Sequence, residues 1–238
     1  MKNSVLHKSE TRGSANHGWL EAKHTFSFAK YHDPNRNNFG VLRVLNDDIV
    51  AGGMGFGTHP HNNMEIITIP LEGDLAHKDS IGNAETIKFG DIQVMSAGSG
   101  IEHSEFNPNR EQRTNLLQIW IFPKTENVSP RYQQITLDIV DRNNKLQQVL
   151  SPNPSDAGVW IHQDAWFHMA NLTAGTKVDY AIKKQRNGLY IFVIKGTVKI
   201  GDQPLENRDG LGIWDFENIE ITATDDAEIL LVEVPMNQ

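Results

Sequence analysis

Short apolar runs rich in β-branched residues recur along most of the 238-residue chain, separated by glycine, asparagine, aspartate or proline. Runs of this length and composition are typical of strands, and long stretches of helical periodicity are scarce. The pattern therefore predicts an all-β protein. The clearest predicted strands are 41–45, 65–71, 91–95, 115–122, 190–200 and 227–234.

The strand pattern repeats once along the chain. The segment ITIPLEGDL around Gly73 is similar to YIFVIKGTV around Gly196, with a glycine at the same place in each. The polar segment 123–134 contains two prolines and is the natural end of the first copy. We therefore predict two tandem copies of one β-fold, residues 1–132 and residues 133–238.

Composition limits the classes of function that are available. The chain has no cysteine, which excludes disulfides, thiolate zinc sites and cysteine nucleophiles. Its formal net charge of -8 repels phosphate backbones, and its basic residues are scattered, so we expect no direct nucleic-acid binding. No apolar run is long enough for a signal peptide or a membrane span, so we expect a cytoplasmic protein without a membrane segment.

An HPH motif provides the first candidate site. In a strand, residues two apart point to the same face, so His59 and His61 can present their imidazoles side by side, with Glu65 at the same parity. His103 and Glu105 have the same spacing after a glycine-rich corner. If the two pairs face each other, three imidazoles and a carboxylate would suit a divalent first-row metal and leave about two coordination positions open.

Less specific interpretations of these motifs remain open. A lone HPH motif is often a surface feature, and Pro60 suits an edge strand or an exposed loop equally well. An HSE pair alone is more often a solvated surface pair. The remaining histidines have no partner at a strand-face spacing, and we interpret them as structural or surface residues. They are His7, His17, His24, His32, His77, His162 and His168.

Several longer motifs resemble the pirin family of bicupins. RGSANHGWLEAKHTFSFAKYHDP, GFGTHPHNNMEI and GDIQVMSAGSGIEHSEFNP are similar to the N-terminal signature of that family, over residues 12–123. HQDAW and DGLGIWD resemble the C-terminal cupin of bacterial pirin-like quercetinases, which are the most similar branch. The resemblance implies two tandem cupin (jelly-roll-like) β-barrels, with the metal in the N-terminal one.

The resemblance also implies roles for individual residues. The family's metal ligands correspond to His59, His61, His103 and Glu105, in agreement with the spacing, and Glu105 would also be the catalytic base. Glu65 is a candidate for orienting a ligand from inside the barrel. We expect one divalent transition metal per chain, iron first, with nickel, cobalt, manganese, copper or zinc as alternatives. Aromatic candidates for a substrate pocket, which could equally be core residues, are Phe26, Phe28, Phe56 and Trp120.

The second copy is expected to hold no metal. Projected through the repeat, the three ligand histidines fall on Ile182, Lys184 and Asp226. No histidine follows His168, and a lysine at a ligand position would repel a cation.

The function implied by the resemblance is a quercetin 2,3-dioxygenase (flavonol 2,4-dioxygenase), which opens the flavonol ring with dioxygen and releases carbon monoxide. Its partners would be a flavonol or related phenolic molecule and dioxygen. Two alternatives have the same ligands. One is a pirin-type metal-binding regulatory protein that binds a partner protein without turnover, and the other is a cupin dioxygenase of a different phenolic substrate.

Overall fold

The computed structural model describes residues 3–237 and shows a chain that is almost entirely strand. Two short 3-10 helices, Ser9–Thr11 and Ile139–Arg142, interrupt it. No helix within these residues has the length and apolarity needed to cross a membrane. The strands of the first half are β1 (Ser4–His7), β2 (Gly13–Asn16), β3 (Leu20–His24), β4 (Leu42–Val50), β5 (Gly55–His61), β6 (Glu65–Glu72), β7 (Leu75–Asp79), β8 (Ala84–Ile87), β9 (Asp91–Ser96), β10 (Ile101–Phe106), β11 (Thr114–Ile121) and β12 (Arg131–Thr136).

The second half of the chain also consists almost entirely of strands. The predicted strand 190–200 is divided into two strands at Gly196. The strands of this half are β13 (Gln147–Ser151), β14 (Val159–Trp160), β15 (Trp166–Leu172), β16 (Lys177–Ala181), β17 (Asn187–Lys195), β18 (Val198–Ile200), β19 (Gln203–Leu205), β20 (Gly210–Trp214), β21 (Asn218–Ala223) and β22 (Ala227–Pro235).

Each half of the molecule consists of a seven-stranded and a four-stranded sheet. In the N-terminal jelly roll the strand orders are β12-β9-β6-β11-β4-β3-β2 and β5-β10-β7-β8. In the C-terminal jelly roll they are β1-β20-β17-β22-β15-β13-β14 and β16-β21-β18-β19. The two sheets of each half are jelly-roll-like rather than closed into a continuous barrel. The predicted all-β bicupin fold is confirmed.

The internal repeat extends to single glycines. Gly73 connects β6 to β7 and Gly196 connects β17 to β18, with φ angles of 73° and 80°. A side chain at either position would collide with the polypeptide beside it, at Thr114 and Arg113 for Gly73 and at the Asp226 carbonyl for Gly196. Both turns therefore require glycine for the same two reasons, which are the backbone conformation and the close approach of another segment.

The seven-stranded sheet of the C-terminal jelly roll is completed at one edge by β1, a strand from the first half of the chain. β1 pairs with β20, with Ser4 opposite Ile213 and His7 opposite Gly210. β12 pairs with β9 in the N-terminal jelly roll. The predicted division between residues 132 and 133 falls inside β12, and the division of the chain into domains stays a prediction.

The largest apolar cluster lies between the two seven-stranded sheets and takes residues from both halves. It includes Leu45 and Ile119 from one half and Phe167 and Val232 from the other. A second cluster fills the C-terminal jelly roll. In the part of the chain that the structure describes, the interior of the N-terminal jelly roll has two further, small apolar clusters. Its interior therefore has room for polar side chains.

Candidate metal centre

The neighbouring strands β5 and β10 bring the HPH motif opposite the HSE motif. They are antiparallel, with His59 opposite His103 and Pro60 opposite Glu102. β5 is the edge strand of its sheet, where a proline can be accommodated because no further strand needs its missing N–H donor. Of the two interpretations of Pro60, the edge strand is the one observed. The register shifts between His103 and Glu105, so this pair lies at an irregularity in the ladder.

His59, His61 and His103 form a compact cluster. Their ring centroids are 4.5 to 4.9 Å apart, and one ring nitrogen of each lies within 4.8 Å of the others. His59 Nδ1 is 2.8 Å from the Gly57 carbonyl, which makes Nδ1 the donor and leaves the Nε2 lone pair free. Within residues 3–237, His61 Nε2 and both ring nitrogens of His103 are buried without a hydrogen-bond partner.

His61 and His103 are neutral at physiological pH. Burial, followed by the neighbouring His59, lowers the pKa of His61 to about 4. The same two causes, with smaller contributions from other neighbouring groups, lower the pKa of His103 to about 3. A neutral imidazole offers a lone pair, and lone pairs that converge without a protein partner are what a cation requires. The cluster fits a divalent transition metal.

Glu105 lies close to His103, one of the three histidines of this cluster. Only 4% of its surface is exposed, and the Gln118 side-chain amide donates to both carboxylate oxygens at 3.1 and 3.2 Å. Burial raises the pKa of Glu105 to about 7, although the hydrogen bond from Gln118 opposes the shift. The carboxylate forms a second candidate ligand group with His103 and His77. The four predicted ligands are thus distributed over two groups that share His103.

His77 is a residue of this site that the sequence analysis interpreted as structural or surface. It lies on β7 directly opposite Glu105 of β10, and only 2% of it is exposed. Its Nε2 is 3.0 Å from Asp79 Oδ2. The signal was present in the sequence, because His77 and Asp79 are two residues apart on one strand, as His103 and Glu105 are.

Glu65 lies on the face of its strand that points away from the histidines. It accepts a 2.6 Å hydrogen bond from Ser96, and Arg131 is its charged neighbour. The expectation of an inward-facing Glu65 assumed that strand parity continues from His61. Asn63, with a φ of 45°, breaks that alternation. The structure therefore does not bring Glu65 into the histidine cluster.

Two of the four aromatic candidates lie at the centre. The Trp120 ring is 4.9 Å from the His61 ring, and Phe28 packs edge-on against Trp120 at 5.4 Å. Phe56 instead packs on Trp19, and both are half-buried against another apolar cluster of the jelly roll. Phe26 belongs to the apolar cluster between the two jelly rolls. A cavity of about 380 Å³ borders His61 on the solvent side, lined also by Pro60 and Gly100 among others.

Comparison with known families agrees with this geometry. Residues 5–121 match the family model described as Pirin, and residues 148–234 match the model described as Quercetinase C-terminal cupin domain. The chain belongs to the pirin family. A protein of Escherichia coli K12 named Quercetin 2,3-dioxygenase is 46% identical over 230 residues, which cover 97% of this chain and 98% of that protein. A protein of Caulobacter vibrioides named Pirin-like protein is 46% identical over 222 residues, 93% of this chain and 95% of its own.

A solved structure is equally similar to this pirin. The bacterial pirin YhhW of Escherichia coli, in complex with nickel(II), superposes with a TM-score of 0.92 at 44% identity. The superposition covers 98% of this chain and 99% of that chain. A pirin of the same fold and similar length therefore binds a divalent first-row metal.

The strands of the C-terminal jelly roll that correspond to β5 and β10 carry different side chains. By strand order, β16 and β21 correspond to β5 and β10, and neither contains a histidine. Projection through the repeat had placed the equivalents at Ile182, Lys184 and Asp226, which lie just beyond the ends of these strands. The interior is instead filled by apolar side chains such as Ile221 and by Tyr180. Within residues 3–237, both candidate ligand groups lie in the N-terminal jelly roll.

Proposed function

We propose that this pirin is a metal-dependent dioxygenase that opens the central ring of quercetin or a related flavonol with dioxygen and releases carbon monoxide. The observation that supports the proposal most directly is the cluster of His59, His61 and His103 beside Glu105, with ring nitrogens free to bind a cation. The Escherichia coli relative named Quercetin 2,3-dioxygenase supports the reaction class, because the similarity extends over nearly the whole of both chains.

His59, His61, His103 and Glu105 are the residues that would hold one divalent metal. Imidazole and carboxylate donors accept most first-row divalent ions. Iron is the metal that we expect first, and the related complex with nickel(II) supports nickel. When bound, the metal would act as a Lewis acid that favours the anionic form of the flavonol 3-hydroxyl.

Glu105 is the group in this site that can accept the 3-hydroxyl proton. Burial raises the pKa of Glu105 to about 7, so the carboxyl can take up and release a proton near neutral pH. The hydrogen bonds from Gln118 fix the direction of the carboxylate. Such positioning lets Glu105 meet the substrate without a further rearrangement.

Trp120 and Phe28 are proposed to orient the flat substrate and to exclude water. Trp120 packs against His61, and Phe28 packs against Trp120. The buried indole Nε1 of Trp120 has no hydrogen-bond partner within residues 3–237. It can therefore donate to an oxygen atom of a phenolic ligand, while the two rings provide apolar contact.

The test combines metal analysis with an assay in air. The protein is stripped with a chelator, reloaded in turn with iron, nickel, cobalt, manganese and copper, and checked for metal content. Loss of quercetin absorbance together with carbon monoxide release is the expected result for at least one metal. Turnover of another phenolic compound without turnover of quercetin would favour the alternative of a cupin dioxygenase with a different phenolic substrate. Absence of turnover with every metal would favour the regulatory, partner-binding alternative.

A further inference from the structure

Two groups of potential ligands overlap in the N-terminal jelly roll. The first consists of His59, His61 and His103, and the second of His77, His103 and Glu105. In each group the donor atoms lie within 4.8 Å of one another. The second group is the more deeply buried, since His77, His103 and Glu105 are each less than 5% exposed.

His77 is held in the form that a metal ligand requires. Its Nε2 lies 3.0 Å from Asp79 Oδ2. Because a carboxylate accepts hydrogen bonds, Nε2 carries the proton and the lone pair is on Nδ1. Within residues 3–237, that Nδ1 is buried without a hydrogen-bond partner. A carboxylate behind the far nitrogen of an imidazole is the usual arrangement for a histidine that binds metal.

Asp79 is itself fixed by the turn that follows β7. Its Oδ1 accepts hydrogen bonds from the backbone N–H groups of Ile81 and Asn83 at 3.1 and 2.9 Å. The Asn83 side chain donates to Oδ2 at 2.8 Å. The carboxylate therefore has little freedom to turn, and the His77 ring is held with it.

We propose that the metal centre has two overlapping positions, the one described above, with His59, His61 and His103 beside Glu105, and a second one held by His77, His103 and Glu105. The two positions share His103 and Glu105, and two divalent cations this close would repel each other, so one ion occupies one position at a time. The proposal rests on the metal-binding part of the proposed function. It adds His77 to the ligands and Asp79 as the residue that orients it.

The test removes the first position and asks whether the second still binds metal. Binding of Ni²⁺ and Co²⁺ to the chelator-stripped full-length protein is measured by calorimetry and by equilibrium dialysis with elemental analysis. The wild type is expected to bind one ion per chain. The His59→Ala/His61→Ala variant is expected to bind one ion more weakly. Adding His77→Ala to that variant should weaken binding by a further factor of at least ~10 to 100, because its position would retain only two ligands.

A matched control uses a histidine that is equally buried in the other jelly roll. His168→Ala, added to the same double variant, should leave the residual affinity unchanged, because His168 lies beside Tyr180 far from either ligand group. Far-UV circular dichroism of the metal-free proteins checks that each variant is folded.

The Asp79→Asn variant tests the second position without removing an imidazole. An asparagine can still accept the two backbone hydrogen bonds at Oδ1. Its amide nitrogen, in place of Oδ2, would donate to His77 Nε2 and leave the proton on Nδ1, and the Asn83 side chain would have to present its oxygen in place of its NH2 group. We expect it to weaken residual binding in the double variant by at least ~10-fold.

Three results would overturn the proposal. They are no measurable binding by the folded double variant, residual binding that neither His77→Ala nor Asp79→Asn reduces, and a second ion bound to the wild type at saturation. A wild type that binds no metal at all would overturn the proposed function as well, which separates the two failures.

Discussion

His103 is the residue on which the geometry of the centre depends most. It lies opposite His59 across one strand pair and opposite Asp79 across the other. It also belongs to both candidate ligand groups. A residue in the middle of three strands has less freedom than one at an edge, so His103 can define where an ion sits, while the edge-strand histidines can adjust around it.

Substitution of His61 by alanine is expected to reduce quercetin turnover at least ~100-fold, because the first ligand group would then have only two imidazoles. For the wild type, metal at about 100 times its dissociation constant should add about 2.7 kcal/mol to the free energy of unfolding. At the same metal concentration, the free energy of unfolding of the His61→Ala variant should increase much less. Thermal unfolding with and without metal measures both effects, and equal stabilisation of the two proteins would remove His61 from the ligands.

Glutamine substitution distinguishes Glu105 from Glu65, the two carboxylates that the sequence analysis considered for the metal centre. Glu105→Gln keeps the size and removes the proton acceptor, so turnover should fall at least ~100-fold. Glu65→Gln should change turnover far less, by under ~10-fold, because Glu65 lies on the opposite face of its strand and bonds to Ser96. Both variants are assayed at equal metal content. Normal turnover in Glu105→Gln with loss in Glu65→Gln would reverse the assignment.

The sequence predicted the cluster of His59, His61 and His103 because alternation along a strand is a local rule that holds within β5 and β10. It could not predict the face of Glu65, since one left-handed residue, Asn63, ends that alternation. His77 was missed for a different reason. Its spacing to Asp79 is visible in the sequence, but its position opposite Glu105 depends on which strand lies beside β10, and pairing between distant strands is not visible in local spacing.

At the scale of elements, the six predicted strands all correspond to observed strands, because apolar runs bounded by turn residues indicate strands strongly. The similarity around Gly73 and Gly196 also predicted the repeat. What could not be predicted is that β1 joins the sheet of the second half, since nothing in a four-residue strand identifies a partner some two hundred positions away.

Alanine substitutions at Gly196 and at Gly175 separate the two reasons for which a turn can require glycine, namely the backbone conformation and the close approach of another segment. Both residues have positive φ angles, 80° and 85°. A methyl group added at Gly196 would collide with a neighbouring backbone, whereas a methyl group added at Gly175 would have no heavy atom within 4 Å. Gly175→Ala should cost about 1 kcal/mol of unfolding free energy, from backbone conformation alone. Gly196→Ala should cost roughly 1 to 3 kcal/mol more. Chemical denaturation of both variants measures the difference, and equal losses would contradict the tight β17–β18 turn.

At the scale of the whole molecule, the two jelly rolls are joined by packed sheets and by a polar contact at their border. Arg131 of β12 donates to the Trp160 carbonyl at 2.6 Å and stacks on the Trp160 ring. Glu65, its charged neighbour, is 1% exposed. Burial, the largest effect, raises the pKa of Glu65 to about 7 from an ordinary value of 4.5, against the opposing hydrogen bond from Ser96.

This shift makes the stability of the molecule depend on pH. Between its ordinary pKa and the raised one, Glu65 holds its proton in the folded state and has lost it in the unfolded state. Its contribution to stability is therefore complete below pH 4.5 and is lost as the pH rises through about 7. Relative to Glu65→Gln, the wild type should lose on the order of 2 kcal/mol between about pH 5 and pH 8. Urea unfolding at several pH values tests this, and parallel curves for the two proteins would contradict it.

The pairing of β1 with the C-terminal sheet also orders events during synthesis of the chain. β12 follows soon after the strands it completes, so the N-terminal sheet can close once residue 136 has left the ribosome. β1 is translated first, yet its partner β20 spans Gly210–Trp214. Of the strands described here, the one translated earliest is therefore among the last to be paired. Until then its backbone donors and acceptors are open to chaperones or to other nascent chains, and a bulky fusion placed ahead of Ser4 would be carried into the final closing step of the C-terminal sheet.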